Sequence, residues 1–160
     1  MPAEPIGARY GVAAREGEGL SGLAFLRGIV EGRLPHPPIS QTLRFWLVSA
    51  EEGSAAFEGE PGESVLNPAG TVHGGWALTL IDSACGCAAL SLLPEGVGYT
   101  TVETKGNLSR PILTDTGRIR CEARVLAHGR QIISAEAKVV ALRTGKLLAH
   151  GTSTLAVIGR

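Results

Sequence analysis

The chain has 160 residues, 44% hydrophobic and 19% charged, which is the length of one domain with enough apolar material for a sizeable core. Fifteen Lys and Arg balance fifteen Asp and Glu, so there is no basic field for nucleic acid or an anionic membrane, and a ligand belongs in a pocket. Three cysteines and four histidines without metal-ligand spacing, and no charged-then-apolar leader, exclude a disulfide scaffold and a metal cluster and predict a cytoplasmic protein.

Residues 1–18 are rich in Gly, Ala and charge without an apolar period, which predicts a mobile arm. Ser21 as N-cap, Leu23, Leu26, Ile29 and Val30 at helical spacing, and Gly32 as a stop predict a short amphipathic helix. In Leu34-Pro35-His36-Pro37-Pro38 the prolines impose extended backbone, so residues 1–38 read as an arm ahead of a domain over 39–160. Leu43, Phe45 and Leu47 alternate with Thr42, Arg44 and Trp46. After Glu51-Glu52-Gly53-Ser54 a second run reaches Gly59, and the pair predicts a hairpin.

His73-Gly74-Gly75 then opens an apolar stretch, Trp76 to Leu93, whose single charge is Asp82. A bilayer span is disfavoured by that mid-helix Asp, by Cys85-Gly86-Cys87 and by the absence of flanking Lys or Arg. Read as a helix, Trp76 to Leu90 is hydrophobic on every face, which predicts enclosure on all sides. A carboxylate so placed is costly unless donors hold it or its protonation shifts, and either condition suits an acid, base or nucleophile. The plain alternative is a structural acid paired with an arginine. The glycines free backbone N–H groups at the helix start, where the dipole favours negative charge. His73 and Asp82 are nine residues apart, about 13 Å of helix rise, so a base and an oxyanion donor in this segment need a second subunit to meet.

Pro94-Glu95-Gly96 stops the helix. Strands are predicted over Tyr99–Leu108, Gly117–Ala127, Gln131–Leu142 and Leu147–Ile158, separated by Arg110-Pro111, His128-Gly129-Arg130 and Thr144-Gly145-Lys146. Four strands in succession predict an antiparallel meander, and the absence of βαβ repetition and of a dinucleotide fingerprint predicts an α+β fold, a curved antiparallel sheet around one long helix. Cys85 and Cys87, two apart, project to different helix faces and read as core fillers. Ser83 lacks the Gly-x-Ser-x-Gly elbow of a serine nucleophile.

Asn67-Pro68-Ala69-Gly70-Thr71-Val72-His73-Gly74-Gly75, Asp82, and the run from Tyr99-Thr100-Thr101-Val102-Glu103 to Arg110-Pro111 resemble the hotdog-fold acyl-CoA thioesterases of the phenylacetate-degradation (PaaI-like) type, over about residues 40–158. The resemblance implies hydrolysis of an acyl-CoA, aromatic or medium-chain, to free acid and CoA, without metal or other cofactor. It gives Asp82 the role of general base or nucleophile and the Gly74 N–H that of polarising the thioester carbonyl, with Gly75 beside it. Asn67 and His73 orient the thioester, and a hydroxyl at Thr101, with Thr100 as fallback, helps hold the attacking water. It also implies an active site shared between subunits of a homodimer or a homotetramer built as a dimer of dimers. Arg110 and Arg130 are candidates for the CoA phosphates, because guanidinium forks match phosphate oxygens. Two other readings stay open: a hotdog hydratase or dehydratase using His73 with Asp82, and a non-catalytic acyl-CoA binding module in which Asp82 is structural.

Overall fold

The structure, a computed structural model, describes residues 4–159. Helix α1 (Gly22–Val30) begins where the Ser21 hydroxyl accepts the Ala24 N–H at 3.4 Å and is followed by Gly32 at φ +75°. Residues 34–37 lie outside any helix, with His36 in a β-bridge to Tyr10, whereas helix α2 (Pro38–Leu43) corrects the expectation of extended chain at Pro38 and of a strand through Thr42 and Leu43. Pro38 sits in the first turn, where its missing N–H has no intrahelical partner to lose and its fixed φ favours the helix. Arg44, left-handed at φ 56°, ends α2, and strand β1 (Phe45–Glu51) starts directly after it. Strand β2 (Ser54–Gly59) returns antiparallel, completing the expected hairpin.

The long helix α3 (Gly74–Leu90) is followed by strands β3 (Gly98–Leu108), β4 (Ile119–His128), β5 (Ile132–Ala141) and β6 (Leu147–Ile158). They form one six-stranded antiparallel sheet in the order β1-β2-β4-β5-β6-β3. The predicted meander holds only for β4 to β6. α3 crosses the sheet and releases the chain at the far edge, so β3 pairs with β6 and β4 pairs with β2. The link 109–118 returns across β6 and β5, about 14 Å at roughly 4.8 Å per strand. It is held by Ser109 and Arg110 N–H groups on the Leu148 carbonyl and by the Val72 N–H on that of Ile112, which lays it beside the start of α3.

The sheet's inner face, including Phe45, Leu47, Phe57, Ile119, Ile133, Val139 and Leu155, buries α3. Ala77, Ala84, Ala88 and Ala89 are fully buried, and such small side chains let the helix axis approach the strands. Within the single chain described, α3 is not enclosed all round. Leu78, Thr79, Asp82 and Ser83 are half-buried and Gly75 is exposed, because a single sheet covers one side of a helix and leaves a stripe at i, i+3, i+4 spacing open. Among the described residues no helix is long and apolar enough to cross a membrane.

The described part of the segment expected to be a mobile arm lies on the outer side of β1. His36 and Gly11 exchange backbone hydrogen bonds with the opposite stretch, and the Trp46 indole N–H donates to Tyr10 Oη at 2.7 Å, while that hydroxyl donates to Glu4. This cover explains why Trp46, on the outward side of the hairpin alternation, is only 1% exposed.

Candidate active site

Asp82 lies on the open stripe of α3, facing β3. Thr101 Oγ1 donates to Asp82 Oδ1 at 2.9 Å and Thr104 Oγ1 donates to the same oxygen at 3.1 Å. Residues three apart in a regular strand point to opposite faces. Here the register shifts between Thr101 and Glu103, making Val102 the extra residue of a bulge. The shift restores parity, so Tyr99, Thr101, Thr104 and Gly106 all face the helix, and Val102 is left 62% exposed. Behind Thr104 stands buried Ser153 of β6, its cross-strand partner, with the two hydroxyl oxygens 2.6 Å apart.

The N-terminus of α3 is built differently. His73 is the N-cap, and its Nδ1 accepts the Gly75 N–H at 2.9 Å. A neutral imidazole accepting at Nδ1 carries its proton on Nε2. The His73 N–H is taken by the Val65 carbonyl and the Trp76 N–H by that of His73. Among the described residues the Gly74 N–H has no such partner; it is one of the orphan donors of a helix start. Neither Gly74 nor Gly75 has left-handed φ.

Asn67 ties the preceding loop. Its Nδ2 donates to Thr71 Oγ1 at 2.8 Å, and its Oδ1 accepts the Ala69 and Thr71 N–H groups. The loop, Gly74, Ala77 and the stretch from Leu108 to Ile112 line a cavity of about 220 Å³. The other side of the helix start, with His73, Gly75, Trp76, Thr79, Leu43 and Val65, lines a hollow of about 300 Å³. One wall of that hollow comes from α2, whose Leu43 carbonyl accepts the Trp76 indole N–H at 2.7 Å.

The predicted residues therefore separate into groups. Asn67, Gly74 and Arg110 share one cavity, and His73 with Gly75 borders the other. Asp82 and Thr101 meet further along α3. Thr100 is exposed on the opposite side of β3 and does not join them. Arg110 is exposed and donates to the Leu147 carbonyl at 2.7 Å. Arg130 lies at the other end of the sheet with Gln131, Ile132, Val157 and Gly159; within one protomer it is remote from Gly74. Thr104 and Ser153 were not picked out by sequence. A period-2 reading from Thr101 puts Thr104 on the wrong face, and only the bulge reverses that.

Chemically, a carboxylate with one oxygen engaged by two hydroxyls can accept a proton or attack at the other. A helix-start N–H can stabilise an oxyanion. Burial pushes the Cys85 and Cys87 thiols up to about 12 and also raises that of Cys121, which makes all three poor nucleophiles at neutral pH. Among the described residues no group of three or more His, Cys, Asp or Glu could hold a metal ion.

Comparison with known proteins identifies the family and the fold. A family model described as the thioesterase superfamily matches residues 69–147. The chain is 31% identical over 109 residues to human (Homo sapiens) acyl-coenzyme A thioesterase 13, covering 68% of this chain and 76% of the relative. A solved thioesterase family protein from Silicibacter pomeroyi superposes with a TM-score of 0.70 at 30% identity, over 77% of this chain and 90% of that one. The PaaI protein of the E. coli phenylacetic acid degradation operon superposes with a TM-score of 0.68 at 23% identity, over 76% of this chain and 84% of that one, a likeness of fold.

Proposed function

Because the chain belongs to the thioesterase superfamily and is a thioester hydrolase with the hotdog fold, we propose that it hydrolyses an acyl-CoA, aromatic or medium-chain, at a site assembled around Asp82 and Gly74. The observation that carries this reading is the convergence of Thr101 and Thr104 on one oxygen of the only carboxylate of α3. Asp82 acts as general base or nucleophile. As base, it takes a proton from a water while that water's oxygen attacks the thioester carbonyl carbon; the tetrahedral intermediate then collapses with cleavage of the C–S bond, the CoA sulfur takes that proton back from Asp82 to leave as the thiol, and the free acid remains. The Gly74 N–H, aided by the dipole of α3, stabilises the oxyanion. Asn67 shapes the loop beside this donor, and His73, which caps the helix start by accepting the Gly75 N–H, orients the thioester from the other side. Thr101 orients both the carboxylate and the attacking water.

Within one protomer these halves lie apart, so the reading requires a homodimer, or a dimer of dimers, in which Asp82 of one chain addresses Gly74 of another. The open stripe of α3 and the exposed edge strand β3, with Val102 and Leu108 at 62% and 57% exposure, support such an assembly. Arg110 borders the Gly74 cavity and is the better phosphate candidate on its own chain; Arg130 takes part only from a neighbouring subunit.

A panel of acyl-CoAs assayed by release of free thiol tests the proposal. The chain's own cysteines, whose ionisation burial suppresses, add little background to that readout. Turnover of aromatic or medium-chain thioesters is expected. Saturable binding of the whole panel with no thiol released would overturn the reading in favour of a binding module, and an enoyl product would favour a dehydratase.

A further inference from the structure

We propose that Thr104, backed by Ser153, is a positioning residue that commits Asp82 Oδ1 to structure and leaves Oδ2 as the reacting oxygen, an inference that rests on the reading of Asp82 as base or nucleophile. A threonine hydroxyl has a single hydrogen. Thr104 spends it on Asp82 Oδ1 at 3.1 Å, so the 2.6 Å contact with Ser153 Oγ must be a donation from Ser153. The hydroxyls thus form a directed chain, from Ser153 to Thr104 to the carboxylate. Each donation polarises the next donor, and bonds to an ionised acceptor are the strong ones.

The chain is built from rigid parts. Thr104 and Ser153 are directly opposite on β3 and β6, and Ser153 is 1% exposed. Thr101 closes on Oδ1 from the other side of the bulge at 2.9 Å. With two donors converging on Oδ1, the carboxylate is fixed about its side-chain torsions. Among the described residues Oδ2 receives no hydrogen bond, and it is the oxygen free to meet water or substrate. A single threonine would leave the group able to turn. The Val102 bulge supplies the second, which gives that irregularity a chemical reason.

Thr104→Val keeps the β-branched shape and removes the donor. It is expected to lower kcat by about tenfold, with KM little changed because substrate contacts are intact. Thr104→Ser restores the hydroxyl and should recover most of the loss. Ser153→Ala should lower kcat in the same direction by less, and it decides the matter if the valine variant does not fold. Wild-type kcat in folded Thr104→Val, or a loss that Thr104→Ser fails to recover, overturns the inference. Asp82→Asn measured in parallel keeps the two readings apart. An inactive Asp82→Asn beside a fully active Thr104→Val rejects only the positioning role, whereas an active Asp82→Asn rejects the catalytic carboxylate itself.

Discussion

Gly74 and Asp82 stand eight residues apart on one helix, about 12 Å of rise at roughly 1.5 Å per residue. In the proposed roles both must reach within about 3 Å of the scissile carbonyl and its attacking water, so under that proposal the two residues of one protomer do not serve one thioester. The protein is therefore expected to be a dimer or a larger even assembly at assay concentration. Light scattering with activity measured on the same fractions checks this. An active monomer would contradict the shared site.

Asp82→Asn keeps the size of the side chain and its ability to accept from Thr101 and Thr104, while removing the charge. It is expected to lower kcat by about a hundredfold or more with a melting temperature near that of the parent. Unchanged turnover in the folded variant would end the assignment.

How far the sequence leads depends on whether the signal is periodic. The Ser21 cap, the hairpin through Gly53 and the single charge in α3 are local patterns, and the structure follows them. The position of β3 beside β6 is a decision of tertiary packing, since four successive strand signals do not say on which edge the first will dock. Trp46 is misplaced by alternation alone, because the amino-terminal segment covers the outer face of β1 and carries no periodicity of its own. Pro38 breaks an expectation of extended chain because proline disfavours helix interiors and favours helix starts. Thr104 is hidden by the bulge. Within the candidate site, Asp82 stands out as the lone charge of an apolar helix, Gly74 and Thr101 are singled out through the family resemblance, and the hydroxyl pair behind the carboxylate is signalled by neither.

The two glycines at the helix start should respond differently to a methyl group. A Cβ at Gly74 would lie 2.5 Å from Leu108 Cδ1, the tip of an exposed flexible side chain that borders the Gly74 cavity. Leu108 can move, and Ala gains helix propensity of up to about 1 kcal/mol, so Gly74→Ala should keep its melting temperature and lose kcat/KM through the narrowed approach to the N–H. At Gly75 a Cβ would stand 3.0 Å from His73 Nδ1, the atom that accepts the Gly75 N–H. Pushing the ring away costs the cap, about 1 kcal/mol, and Gly75→Ala should therefore show the lower melting temperature of the two. Full kcat/KM in Gly74→Ala would remove that N–H from the oxyanion role.

His36 offers a pH dependence of stability separate from catalysis. The ring is 3% exposed, its centroid lies 6.4 Å from that of Tyr10, and its Nδ1 has no hydrogen-bond partner among the described residues. Burial lowers its pKa below the ordinary value of 6.5. The unfolded chain therefore binds a proton more readily than the folded one, and stability rises with pH across the interval between the folded value and 6.5. The contribution is complete above about 6.5 and is lost as pH falls through that interval. Since the ring backs Tyr10, which accepts from Trp46 and donates to Glu4, protonation should loosen the amino-terminal segment from β1 first. His36→Phe keeps a ring and removes both the titration and the orphaned nitrogen, so it should cost little at pH 8. Urea midpoints for parent and variant between pH 8 and 5 supply the test, read as a difference because carboxylates contribute to the acid slope of both. The parent should lose stability faster below pH 6.5, and parallel curves would show that His36 does not titrate against folding.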